Sequence, residues 1–157
     1  MTINEIQDQI VADMASLDGW VEKYAYLVVQ GRLLEPLDDR FKVEANLISG
    51  CQSKVWVLAK CMGERVEYGA DSDALITRGM IALLLKVLNH QVAQDIVDAD
   101  LYFIQKTGLG SNLSPARADG LVFIVRRMKQ YAETYVKRSW PTGNKVPTAT
   151  WRCEEAS

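Results

Sequence analysis

The sequence predicts an α+β fold in which a small antiparallel sheet of three strands packs against a helical layer. Three observations carry this. Apolar residues recur at three- and four-residue steps near the start of the chain and again beyond residue 114. Residues 55–68 alternate in the manner of extended chain and reverse at Gly63-Glu64. Residues 74–88 are apolar on nearly every side, as a helix at the centre of a core is.

Each element has its own signal. Thr2 and Glu5 make a capping box before a first helix, and Ile3, Ile6, Ile10, Met14 and Leu17 lay one apolar face along it. Asp18 is placed to cap a second helix through Trp20, Tyr24, Leu27 and Val28, and Gly31 to end it, so that the two run antiparallel. Trp20 and Tyr24 stand one turn apart and share a core-facing side. Residues 32–46, with Pro36, Asp38 and Asp39, carry no period and read as a surface connection.

Residues 46–49 read as a first strand, residues 55–62 as a second and residues 66–68 as a third, with Cys61 a packing residue inside the second. Asp71-Ser72-Asp73 offers short acceptors suited to capping the apolar helix that follows. Gly79 costs that helix about 1 kcal/mol relative to alanine, and close approach of another backbone is the reason expected for it. Two short helices come next, over residues 92–97 and 101–107, the latter capped by Asp100 and closed by Gly108.

Ser114 and Pro115 then open a long helix as its N-cap and first residue. Leu121, Ile124, Val125, Met128, Ala132 and Tyr135 mark its buried face, and Arg126, Arg127, Lys129, Lys137 and Arg138 its wet one. Arg117 in the first turn opposes the helix dipole and points to an anionic partner surface. After Ser139 the residues are Pro141, Thr142, Gly143, Asn144, Pro147 and Thr148, a loosely packed tail that holds Trp151 and Cys153. The expected organisation is one domain over residues 1–138 and a tail over 139–157.

Composition narrows the function. The chain has 157 residues, 48% hydrophobic and 24% charged, the size and balance of one globular domain. A net charge of −2 gives no basic footprint for nucleic acid. Residues 1–5 lack the basic and apolar regions of a signal peptide, and no apolar run reaches the roughly 20 residues of a membrane span. A cytoplasmic protein without membrane contact is expected. Cysteines at positions 51, 61 and 153 make neither a disulfide framework nor a close C-x-x-C pair, so thiols in a reducing compartment are expected.

Chemistry concentrates at Cys51, which stands at the mouth of the second strand rather than within it. Gly50 can turn the chain there. Gln52, Ser53 and nearby backbone N–H groups offer donors to a sulfur anion, and Lys54 adds a positive charge that favours it further.

The run Gly50-Cys51-Gln52-Ser53-Lys54-Val55-Trp56, followed by Asp71-Ser72-Asp73 and Gly79 and then by Ser114-Pro115, Arg117 and Gly120-Leu121, resembles the SufE family of sulfur acceptors. Trp20 and Tyr24 belong to the same match. The resemblance implies a SufE/NifU-like fold and a function. Cys51 takes sulfur as a persulfide from a cysteine desulfurase, stimulates that enzyme, and passes the sulfur to an iron–sulfur scaffold complex. Pyridoxal phosphate belongs to the desulfurase, and this chain needs no cofactor or metal of its own. Gly50, Gln52 and Ser53 then support the loop, Trp56 anchors the strand beneath it, and Arg117 and Asp71 face the partner. Relatives that are dimers leave a homodimer open. The family's Leu-Pro pair after the second helix is displaced here, where Pro36 comes later.

Two readings from other classes compete. A metal or iron–sulfur scaffold needs several convergent ligands. A cysteine hydrolase needs a Cys51/His90 pair, and His90 falls at the far end of the apolar helix.

Overall fold

The computed structural model describes residues 1–138. The expected tail, with Trp151 and Cys153, lies outside them. The first helix, α1 (Ile3–Ala15), starts behind Thr2, whose hydroxyl oxygen accepts the Glu5 N–H at 3.1 Å. Ile3, Ile10 and Met14 are buried along one face. Gln7 is buried among them with its amide satisfied on both sides. Its nitrogen donates to the Asp100 carbonyl at 3.0 Å, and its oxygen accepts from the Phe103 N–H at 3.1 Å.

The second helix, α2 (Gly19–Leu33), crosses the core helix α3 (Leu75–Leu88) almost backbone to backbone. A Cβ on Gly79 would lie 2.2 Å from the Leu27 carbonyl oxygen, and one on Gly31 would lie 2.8 Å from that of Leu75. Close approach therefore accounts for Gly79 as expected. It accounts for Gly31 too, which stands inside α2 rather than ending it. Along α3, Met80, Ile81, Leu83, Leu84, Val87 and Leu88 are buried.

The sheet has two strands, β1 (Val55–Met62) and β2 (Arg65–Ser72), antiparallel and in register from Val55 opposite Ser72 to Met62 opposite Arg65. Gly63 turns between them at φ +62°. The third strand expected at residues 46–49 shrinks to a bridge between Leu47 and Trp56, with the Ile48 N–H donating to the Val55 carbonyl at 2.8 Å. The reason is that the next places along that edge are taken. Carbonyls alternate sides along a strand, and those of Val57 and Ala59 accept hydroxyls of Tyr131 (3.3 Å) and Tyr135 (2.9 Å). Both tyrosines come from the long helix α7 (Pro115–Arg138), which thus covers the open edge of the sheet. A third hydroxyl, that of Tyr68 on β2, returns the contact by donating to the Met128 carbonyl at 2.6 Å.

Strand β2 also runs further than expected and includes Asp71 and Ser72. Helix α3 begins behind Ala74, with no side chain capping it. Between α3 and α7 the chain forms α4 (Ala93–Asp98), α5 (Phe103–Lys106) and α6 (Leu109–Asn112), with Gly108 at φ +80° before the last. Tyr102, not Asp100, stands at the N-cap of α5. Trp20 and Tyr24 pack against the core with ring centroids 5.6 Å apart. Cys61 packs there as well, as expected of a packing residue.

Replacing Gly79 by alanine forces a methyl group into the α2 backbone. We expect a loss of about 3 kcal/mol, the upper end for overpacking, read as a lower midpoint in denaturant unfolding. Unchanged stability would contradict the backbone-to-backbone crossing.

Candidate functional site

Gly50 is required on two counts. Its φ is +89°, a conformation that favours glycine, and a Cβ there would lie 2.7 Å from Cε2 of Phe123 on α7. The bend sends Cys51 back against the protein. The thiol is half-buried, with Sγ 3.8 Å from the Gly120 carbonyl oxygen to which it donates. A Cβ on Gly120 would meet Sγ at 3.5 Å, so the bare helix surface there forms one wall of the thiol's environment. Cys51 opens on a small pocket whose other sides are Thr77 and Met80 from α3 and Arg117 and Ile124 from α7. Cys51 is the free cysteine among the described residues.

Burial pushes the Cys51 thiol up from its ordinary value. The expected lowering by Lys54 and by polar loop residues does not prevail. Gln52 and Lys54 are exposed, and among the described residues neither side chain bonds Sγ. The loop sets the thiol against the bare surface of α7 at Gly120.

The far end of the loop is clamped to the sheet. The Lys54 N–H donates to the Asp73 carboxylate at 3.0 Å, and the Asp73 N–H returns to the Lys54 carbonyl at 3.2 Å. Ser72 adds its hydroxyl to the same carbonyl at 2.8 Å. Ser72 and Asp73, expected to cap a helix, mainly hold the cysteine loop, although Ser72 Oγ also accepts the Ala74 N–H at 3.2 Å.

Asp71 is a correction. A partner-facing acid would be exposed, and Asp71 is 1% exposed. Its carboxylate pairs with Arg78, lies 3.5 Å from Lys42 Nζ, and accepts the Leu37 N–H at 3.1 Å. Arg78 in turn donates to the carbonyls of Gly31 (3.1 Å) and Leu34 (2.9 Å). A buried carboxylate needs such partners, and this one ties the connection after α2 to the strand end beside the loop.

Arg117 stays at the site. It is half-buried in the first turn of α7, lines the thiol pocket, and makes no salt bridge among the described residues. His90 does not reach it. That residue is exposed, at φ +63°, 4.0 Å from Glu67 and beyond the opposite end of α3 from Thr77. No histidine lines the pocket, so the Cys51/His90 pair of the hydrolase reading is not assembled. Among the described residues no group of His, Cys, Asp or Glu is arranged to hold a metal ion, and no helix is long and apolar enough to cross a membrane.

Sequence reasoning missed Thr77, Met80, Ile124 and Phe123 as neighbours of the thiol. Gly120 had a signal, a glycine on the buried side of a long helix.

The family model for SufE, the Fe-S metabolism associated domain, matches residues 8–132. An uncharacterized SufE-like protein of Rhizobium meliloti is 34% identical over 131 residues, which cover 80% of this chain and 94% of that protein. One from Synechocystis is 37% identical over 111 residues, covering 71% of this chain and 70% of the relative. Among solved structures, the solution structure of a hypothetical protein from Thermus thermophilus superposes with a TM-score of 0.70 at 19% identity, covering 84% of this chain and 96% of the other. At that identity it shows the fold alone.

The raised thiol makes a kinetic prediction. Alkylation of Cys51 by iodoacetamide should be slower than that of an unfolded cysteine near neutral pH, and should keep rising above the ordinary thiol value of 9.0. The sign for stability follows, since the folded state binds this proton more tightly than the unfolded one. The contribution is complete below the ordinary value and is lost as pH rises through the raised one. Gly50→Ala should speed alkylation several-fold by displacing the loop from Phe123, and an unchanged rate would mean the bend does not shelter the thiol.

Proposed function

The chain belongs to the SufE family, and from that premise we propose that Cys51 is a persulfide carrier that accepts sulfur from a pyridoxal-phosphate-dependent cysteine desulfurase and hands it on to iron–sulfur cluster assembly. The observation that carries the reading is the setting of Cys51. A free thiol, held by a glycine bend at the mouth of a strand, backs onto a pocket between two helices instead of packing within the core.

The chemistry asked of it is a displacement at sulfur. The Cys51 thiolate attacks the outer sulfur of the donor's persulfide, the Cys51–sulfur bond forms, and the donor's sulfur–sulfur bond breaks. The donor leaves as a thiolate and takes up the proton that Cys51 gave up. No oxidant or reductant is consumed.

A persulfide in transit must meet neither reductant nor oxidant, and the resting position favours shelter over reactivity. Each unit by which a thiol's pKa is raised withholds about 1.4 kcal/mol from the nucleophilic form. Activation therefore belongs to the encounter, when the loop swings about Gly50 and leaves its desolvating wall. Gln52 and Ser53 travel with it as loop residues. Arg117, a cation without an ion-pair partner among the described residues at the rim of the pocket, supplies attraction for an acidic patch on the desulfurase. Stimulation of the desulfurase follows from Cys51 clearing its persulfide.

Incubation with a cysteine desulfurase and free cysteine should add one sulfur that peptide mapping places on Cys51, and Cys51→Ser should abolish it without unfolding the protein. Sulfur found elsewhere, or retained transfer in the variant, sinks the reading. Arg117→Glu should weaken engagement of the desulfurase by roughly tenfold, the scale of a rim charge reversal, with little change in melting temperature. An equal loss of both would make Arg117 structural.

A further inference from the structure

Thr77 is the unexplained group behind the thiol. It stands in the first turn of α3, lines the Cys51 pocket, and is 5% exposed. Thr107 and Thr134 spend their hydroxyls on carbonyls one turn back, Thr107 on that of Phe103 at 2.6 Å and Thr134 on that of Gln130 at 3.0 Å. The corresponding carbonyl for Thr77 belongs to Asp73, which precedes the helix and is not bonded by it. Among the described residues no hydrogen bond is made by the Thr77 hydroxyl, and it is not sealed off: the fully enclosed side-chain oxygen left unpaired is Asn46 Oδ1. The pocket is the open side it has.

The surroundings are those an anionic sulfur would find favourable. Helix α3 runs for 14 residues and no side chain caps its N-terminus, so the positive end of its dipole faces the region of the cysteine loop. Arg117 stands on the opposite wall. The remaining lining from α3 and α7, Met80, Gly120 and Ile124, offers no side-chain donor. Gln52 and Ser53 belong to the loop and move with the sulfur, whereas Thr77 is fixed to the core helix.

We propose that Thr77 is a positioning residue for the carried sulfur: its hydroxyl donates a hydrogen bond to the outer sulfur of the Cys51 persulfide when the loop is folded back. This rests on Cys51 being the carrier. Sulfur reaches Cys51 in the exposed position and is parked against Thr77 on return, so Thr77 acts on retention and not on the transfer itself. Valine at this position keeps the shape and removes the donor, while serine keeps the donor.

The test loads the full-length protein with inorganic polysulfide, so that no desulfurase is needed, and follows removal of the outer sulfur from Cys51 by cyanide as thiocyanate. Thr77→Val should lose sulfur about tenfold faster than the parent, and Thr77→Ser should stay within about twofold of it, as expected for one hydrogen bond to a charged acceptor. Iodoacetamide alkylation of sulfur-free Cys51 should not differ between parent and Thr77→Val. Equal sulfur loss in parent and Thr77→Val, or a parallel rise in alkylation, would overturn the assignment. Failure of the parent to hold sulfur at Cys51 at all would instead defeat the carrier reading, and this inference with it.

Discussion

Helix α7 lies across the outer edge of β1 because tyrosine hydroxyls fasten it there, and the site depends on that placement. The strand edge needs donors for the carbonyls that β2 does not use. Tyr131 and Tyr135 provide them from the helix, and Tyr68 fastens the sheet to the helix in return. Burial pushes both Tyr68 and Tyr131 upward, the latter partly offset by Arg127, so these hydroxyls remain protonated donors at any ordinary pH. With the later turns of α7 held against the sheet, its first turns are brought to the mouth of β1. Arg117, Gly120, Phe123 and Ile124 then meet the cysteine loop. A true third strand along that edge would have occupied the same carbonyls and left α7 without its anchor.

The loop itself is fixed at both ends, and its middle rests on α7 through Gly50 and Cys51. Ile48 is bonded to Val55 at one end, and Lys54 is clamped by Ser72 and Asp73 at the other. Ser72 is in turn held by the buried Asp71, whose carboxylate accepts the Ser72 N–H at 2.8 Å and whose bonds to Arg78, Lys42 and Leu37 join the connection after α2 to the end of β2. The acidic corner thus serves the cysteine from behind. Removing its charge would leave Arg78 uncompensated in a half-buried place, a costly arrangement, and would loosen the floor under the clamp before anything happened at the thiol.

The parts legible in the sequence are those where one local signal decides. The span of β1 followed from alternation, the start of α1 from Thr2, and the buried face of α7 from its apolar period, apart from Tyr131. Cys51 stood out because its position was wrong for a packing residue. What was not legible required knowledge of a distant neighbour. Gly31 read as a helix stop because a glycine near a helix end is usually one, and only the crossing with α3 shows it as a contact. The short acceptors of Asp71, Ser72 and Asp73 read as caps, since nothing local reveals that Lys54 lies beside them. The effect of Lys54 on the thiol was overestimated for the same reason: a charge near in sequence is here directed into water, while the uncharged walls from α3 and α7 determine the thiol's surroundings.

Under the proposed carrier role, the anchors also limit how the sulfur can move. Residues 49–53 lie between the two anchors, and a fully extended chain of that length spans no more than about 17 Å. Since both ends return to nearby points on β1, the thiol can advance by about half of that, on the order of 8 Å. That is enough to clear the pocket mouth but not to search a partner's surface. The proposed function then requires that the donor's persulfide be delivered close to the mouth of β1, with the partner docked over the exposed loop and the adjoining face of α7. Sheltering and short reach are two results of the same construction, for the clamp that keeps the loop against Gly120 is what shortens its swing.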